Sequence, residues 1–180
     1  MFHFWARGGL FCEAMSSAVR TPVQIAWVTA DLDATERTLT GLLGARKWVR
    51  MPAVHFGPDT CTYRGRPADF RADISLSYAS EMQLELIAPV SGESVYTEYL
   101  RDSGPGLHHI AIEADSAEEL AKDVAHAVAG GATVVQQGVM PGGMEFAYVS
   151  TVTAGVPYLE IAHIPAEIRA FFDYVKQEQK

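Results

Sequence analysis

The feature that most constrains this chain is an internal repeat. Pro22-Val-Gln-Ile-Ala-Trp-Val-Thr-Ala-Asp-Leu-Asp33 and Gly104-Pro-Gly-Leu-His-His-Ile-Ala-Ile-Glu-Ala-Asp-Ser116 share one design. Each reads as a short alternating strand that runs into a capped helix. In the second copy Ser116 and Glu119 form the sequence signature of a capping box. Gln24-Ile25-Ala26 lines up with His109-Ile110-Ala111. Strand alternation puts Gln24 and Ala26 on one face, and His109, Ala111 and Glu113 on the matching face. It sends Ile25 and Trp27, and His108, Ile110 and Ile112, to the opposite side. Bulky residues suit the side against a helix, and alanine beside a polar residue suits the floor of a cavity. His108 is therefore expected to be a packing residue, or one that supports the site from behind.

The repeat continues to the last strand of each half. Leu84-Glu85-Leu86-Ile87 matches Leu159-Glu160-Ile161-Ala162. A carboxylate inside an apolar strand is costly to bury without a partner. Two at equivalent positions imply a shared one, and no lysine or arginine falls at a matching place. Gln24, Glu85, His109 and Glu160 together offer amide, carboxylate and imidazole donors, the profile of a divalent-metal site. Any one of the four alone is an ordinary strand residue; their recurrence in a duplicated frame points to the cation. Arg64 and Arg66, in a polar loop over 64–67, are a second possibility for contact with an acidic substrate.

Hydrophobic patterning gives each half the order strand, helix, then several strands. The first half reads as a strand over 22–29, a helix over 33–43 stopped by Gly44, and short β pieces at 48–51 and 54–56. Alternating runs over 72–78 and 82–87 follow, joined by a turn at Ser80-Glu81. The second half reads as a strand over 107–114, a helix over 117–129, and strands over 132–137, 145–151 and 157–162. Pro141-Gly-Gly143 is a turn. The boundaries expected are a leader over 1–20, a first module over 21–90, a linker with a short helix over 91–105, a second module over 106–164, and a C-terminal helix over 165–180. The repeat and pattern do not place that last helix. The irregular stretch before Ser17 reads as a poorly ordered arm, with Met15 an alternative start. Leu39, Leu42 and Leu43 form the apolar stripe of the first helix, which pairing of the halves is expected to bury.

The formal net charge of −8 opposes nucleic acid or an anionic membrane as a main partner. No segment reaches the roughly 20 apolar residues of a membrane helix. The two cysteines, Cys12 and Cys61, are too few for a disulfide framework, so reduced thiols in a cytoplasm are expected.

Gly-Leu-His-His-Ile-Ala-Ile-Glu, with Gln-Leu-Glu-Leu-Ile-Ala-Pro before it and Tyr-Leu-Glu-Ile after it, resembles the vicinal oxygen chelate superfamily over about residues 21–164. Around 83–115 it is most similar to the methylmalonyl-CoA epimerase branch. The resemblance implies an α+β fold: two tandem βαβββ modules forming a cupped, barrel-like mixed sheet with helices outside. It implies one divalent ion (Zn, Co, Ni, Mn, Fe or Mg) held by Gln24, Glu85, His109 and Glu160, with Glu160, then Glu85, as catalytic base. The further carboxylate of the epimerase has no clear match in this sequence, and Asp69 or Asp73 is the candidate substitute. The implied activity is a metal-dependent isomerase or epimerase that abstracts a proton next to a carbonyl, on a small carbonyl or acyl-CoA-type substrate, in a homodimer. The ligand order is similar to that of zinc-type glyoxalase I, so a glyoxalase I-like lyase is the alternative. A metal-free binding protein of the bleomycin-resistance type is the third reading.

Overall fold

The computed structural model describes residues 20–150 and 155–180. Apart from Arg20, the expected leader lies outside them. The chain runs β1 (Pro22–Val28), α1 (Leu32–Leu43), β2 (Val49–Phe56), β3 (Cys61–Tyr63), β4 (Arg66–Pro67), β5 (Phe70–Ala79), β6 (Met82–Ser91) and α2 (Val95–Ser103). It continues through β7 (Gly106–Ala114), α3 (Ala117–Ala129), β8 (Val134–Val139), β9 (Glu145–Ser150), β10 (Tyr158–His163) and α4 (Ala166–Gln177). The helix starts follow their caps: Asp31 accepts from Ala34 N at 2.9 Å and Ser116 from Glu119 N at 3.2 Å. Gly44, at φ 74°, ends α1 in the left-handed conformation that glycine adopts without strain.

The ten strands of the described residues form one mixed sheet in the order β2-β5-β6-β1-β7-β10-β9-β8-β3-β4. The two halves mirror each other about the antiparallel β1–β7 pair, and each first strand lies parallel to the last strand of its own half. This is the α+β cup of two βαβββ units expected from the repeat. α3 packs on β7, β9 and β10, and α1 on β6. No helix among the described residues is long and apolar enough to cross a membrane.

Three details differ from the sequence reading. The β pieces at 48–51 and 54–56 are one strand, broken by a bulge where Ala53 takes φ 50°. The segment over 64–67 is not a plain loop. Arg64 (φ 50°) and Gly65 (φ 73°) form a tight turn between β3 and β4. The apolar stripe of α1 is only partly covered: Leu39 is buried, but Leu42 is 74% and Leu43 44% exposed.

The β3–β4 hairpin belongs to the first half yet pairs with β8 of the second. Eight strand spacings of about 4.8 Å would put β2 and β3 roughly 38 Å apart in a flat sheet. The chain from Phe56 to Cys61 can reach only about 17 Å. The sheet must therefore curl until its two ends meet at the Gly57–Thr60 turn. Gly138 permits this contact: a Cβ there would lie 2.3 Å from Cys61 Sγ and 2.6 Å from Thr60 O. Inside the curl, Phe56, Phe70, Tyr96, Phe146 and Tyr148 form a continuous aromatic core. α4 returns to this core, with Val175 fully buried in it.

Candidate metal centre

Two adjacent rows across the middle of the sheet carry the site. Glu85, Ala26 and His109 are register partners on β6, β1 and β7. Gln24, Ala111 and Glu160 are register partners on β1, β7 and β10. An alanine thus lies between two polar side chains in each row. Its short side chain leaves the space that long donors from the flanking strands reach across.

They meet at one atom. His109 Nε2 lies 3.2 Å from Glu160 Oε2, 3.4 Å from Glu85 Oε2 and 3.2 Å from Gln24 Oε1. The ligand atoms of Glu85, His109 and Glu160 all fall within 4.8 Å of one another. All four residues expected from the repeat are therefore brought together. Among the described residues, His109 is the only basic partner of either carboxylate. Burial opposes charge on His109, but hydrogen bonds and charge from Glu160 and Glu85 outweigh it and raise its pKa to about 9. Burial, reinforced by the Glu160 charge, pushes the Glu85 carboxyl above its usual range despite His109. The group holds more negative charge than one histidine can balance. Two carboxylates, one imidazole nitrogen and one amide oxygen are the donor set a divalent cation would satisfy.

Supporting residues fix the donors, and the sequence reading missed most of them. Gln24 Nε2 donates to Gln83 Oε1 at 2.6 Å, and Gln83 in turn donates to the Tyr78 hydroxyl at 3.0 Å. This chain turns the Gln24 oxygen toward His109. Gln83 shares an alternating strand with Glu85, so its inward side was legible in the pattern; its task was not.

His108 is a correction. It does not face away from His109. The register passes from Ala26–His109 to Trp27–Leu107, so His108 is an extra residue in a β-bulge. Both histidines are fully buried, with their Nδ1 atoms 2.9 Å apart. Burial and the neighbouring His109 hold His108 well below the usual histidine pKa, so its ring is neutral. It accepts the Nδ1 proton of His109, which leaves the His109 Nε2 lone pair for the site once that nitrogen is deprotonated. The rings of Tyr96, Tyr99, Tyr148 and Tyr158 surround it at 4.9–5.7 Å. These come from α2, β9 and β10, so no local motif announces them.

The remaining candidates lie elsewhere. Asp69 contacts His55 Nε2 at 2.8 Å, and Asp73 accepts from Ala53 N at 2.7 Å. Arg64 is engaged by Glu98 at 2.5 and 2.9 Å. Arg64 and Arg66 line a surface hollow that shares no residue with the cavity beside the quartet.

The His109 pKa carries a prediction. A cation taking Nε2 must displace its proton. Below about pH 9 loading therefore releases about one proton from His109, and apparent affinity rises up to about tenfold per pH unit. Above that value both effects level off. Calorimetry in buffers of different ionisation enthalpy measures the release; a proton count of zero at pH 7 would contradict it.

Comparison with known proteins identifies the family and the fold. Residues 23–148 match the family model of the Glyoxalase/Bleomycin resistance protein/Dioxygenase superfamily. No curated protein matches the chain in sequence. Methylmalonyl-CoA epimerase from Mycobacterium tuberculosis aligns with a TM-score of 0.55 at 18% identity, over 83% of this chain and 91% of that one. A hypothetical protein from Bacillus halodurans C-125 aligns with a TM-score of 0.55 at 19% identity, over 81% and 95%. A variant of methylmalonyl-CoA epimerase from Streptomyces coelicolor, in complex with 2-nitronate-propionyl-CoA, gives 0.54 at 18%, over 81% and 98%. At these identities the likeness carries the fold.

Proposed function

The chain belongs to the glyoxalase/bleomycin resistance protein/dioxygenase superfamily, and from that premise we propose that it is a metal-dependent isomerase that removes a proton next to a carbonyl. The observation that carries this reading is the meeting of one buried and one half-buried carboxylate, Glu160 and Glu85, on one buried histidine, with no other basic partner among the described residues. Gln24, Glu85, His109 and Glu160 hold the divalent ion in this reading. When bound, it supplies Lewis acidity toward a carbonyl oxygen and so acidifies the neighbouring C–H bond.

The side chains do the rest. Glu160, buried and facing the cavity, accepts the proton and can return it to the face it left, while inversion would take a proton from a second group, for which Glu85 is the nearest candidate. Glu85 is also the second candidate for accepting the proton, since burial raises its pKa and makes it the better proton acceptor. Gln24 and His109 orient, held by Gln83 and His108. The aromatic core keeps bulk water from the proton in transit. A glyoxalase I-like lyase would use the same proton transfer, and the donor order favours it as the alternative. A metal-free binding cup has no need of inward-facing carboxylates at repeat-equivalent positions.

The similar epimerase from S. coelicolor binds an acyl-CoA analogue, which makes acyl-CoA thioesters the first compounds to try. The test is solvent deuterium incorporation next to the carbonyl, with metal-loaded protein and panels of acyl-CoA thioesters and 2-oxoaldehyde adducts. Metal-dependent exchange in the first panel supports the isomerase, and in the second the lyase. Exchange in neither, with metal bound, rejects both.

We place the protein in the cytoplasm as a homodimer; the exposed Leu42 and Leu43 on α1 support a second copy as their cover. Sedimentation at micromolar concentration is expected to give twice the chain mass, and a monomer would refute the dimer.

A further inference from the structure

The cavity beside the metal centre has a chemistry of its own. It holds about 30 Å³, room for about one or two water molecules. One wall carries Gln24, Glu85 and Glu160. The facing wall is apolar and comes from separate parts of the chain. Met51 lies on β2, and Met140 and Met144 flank the Pro141–Gly143 turn. Phe146 lies on β9, and Phe172 on α4. Among the described residues, no lysine or arginine lines the cavity. Its two other polar groups, the Tyr96 and Tyr148 hydroxyls, are 2.9 Å apart and bond each other.

We propose that, beside the metal-binding head of a ligand, this pocket accepts an uncharged, apolar body and rejects an anionic one, and that Phe172 sets the limit on that body's size. The inference rests on the metal-centre reading above and deepens it. An anionic group placed beyond the metal-binding head would be buried without a counter-charge, next to two carboxylates already present. An apolar body gains by leaving water and meets side chains able to move aside. Three of the wall residues are methionines, unbranched and adaptable. Met140 and Met144 also flank glycines at positive φ, Gly142 (93°) and Gly143 (85°). Phe172 sits on a helix anchored through Val175, one turn further on, so its ring can be removed while the anchor stays.

The experiment uses the full chain loaded with cobalt(II), whose visible absorption bands respond to a change of ligands. Hydroxamates are the probes: acetohydroxamate, butyrohydroxamate, benzohydroxamate, 2-naphthohydroxamate and the monohydroxamate of succinate. Benzohydroxamate is expected to bind about tenfold or more tighter than acetohydroxamate. Succinate monohydroxamate is expected to bind at least about tenfold more weakly than butyrohydroxamate, which matches it in chain length. Phe172→Ala is expected to strengthen 2-naphthohydroxamate binding about tenfold and leave acetohydroxamate within about twofold. A gain for one probe only cannot come from loss of folding. Failure of cobalt to load overturns the metal reading and this proposal with it. Cobalt loading without discrimination by charge or bulk overturns this proposal alone.

Discussion

Glu160→Gln is expected to lower deuterium exchange by roughly 100-fold or more, while metal content falls only modestly. The substitution keeps the size of the side chain and one donor oxygen. It removes the lone pair that takes the proton. Glu160 is buried in the middle of β10 between its register partners Ala111 and Tyr148, so the new amide has no route to solvent. The assay uses whichever compound passes the exchange screen, with metal measured on the same sample. Exchange at the wild-type rate would assign the proton transfer to Glu85. Loss of metal in parallel with exchange would contradict the expected separation of the two effects, since a ligand role alone would produce it.

His109→Ala is expected to reduce metal affinity by roughly 100-fold or more, taking the content from about one ion per chain to near zero after dialysis. His109 is the point on which Glu85, Glu160 and Gln24 converge, and no neighbouring side chain replaces it. His108 cannot substitute, because its Nδ1 faces His109 and its ring is enclosed by tyrosines. The sheet does not depend on the imidazole: β7 pairs with β1 and β10 through its backbone. Circular dichroism is therefore expected to match the wild type. Full metal retention in this variant would remove the centre as described.

The repeat made the cup and its four inward donors legible because sheets impose a period of two on any sequence that buries one face. Gln24, Glu85, His109 and Glu160 obey that period, and so does Gln83. What could not be read were departures from it and partners far along the chain. The bulge that turns His108 inward shifts register by one residue, and alternation alone has no sign of it. The β3 strand is only three residues long and gains its place from β8, so its own sequence reads as loop. The position of α4 depends on a gap in the cup that Val175 and Phe172 fill, a property of the folded surface and not of the helix. Leu42 and Leu43 continue the helical stripe of Leu39, yet the described residues leave both exposed, which spacing along the helix does not reveal.

The joining of the sheet's ends also governs how the chain is made. Cys61 meets Gly138, and the whole of the second unit up to β8 must emerge before that contact exists. Until then β3 presents a bare strand edge on a nascent chain whose own half is already able to pair. Ring closure is thus a late event that waits for the far end of the sequence. A fragment ending at the junction of the halves would keep that edge permanently open and would seek a strand from another copy. In the intact chain β8 supplies the strand that closes that edge.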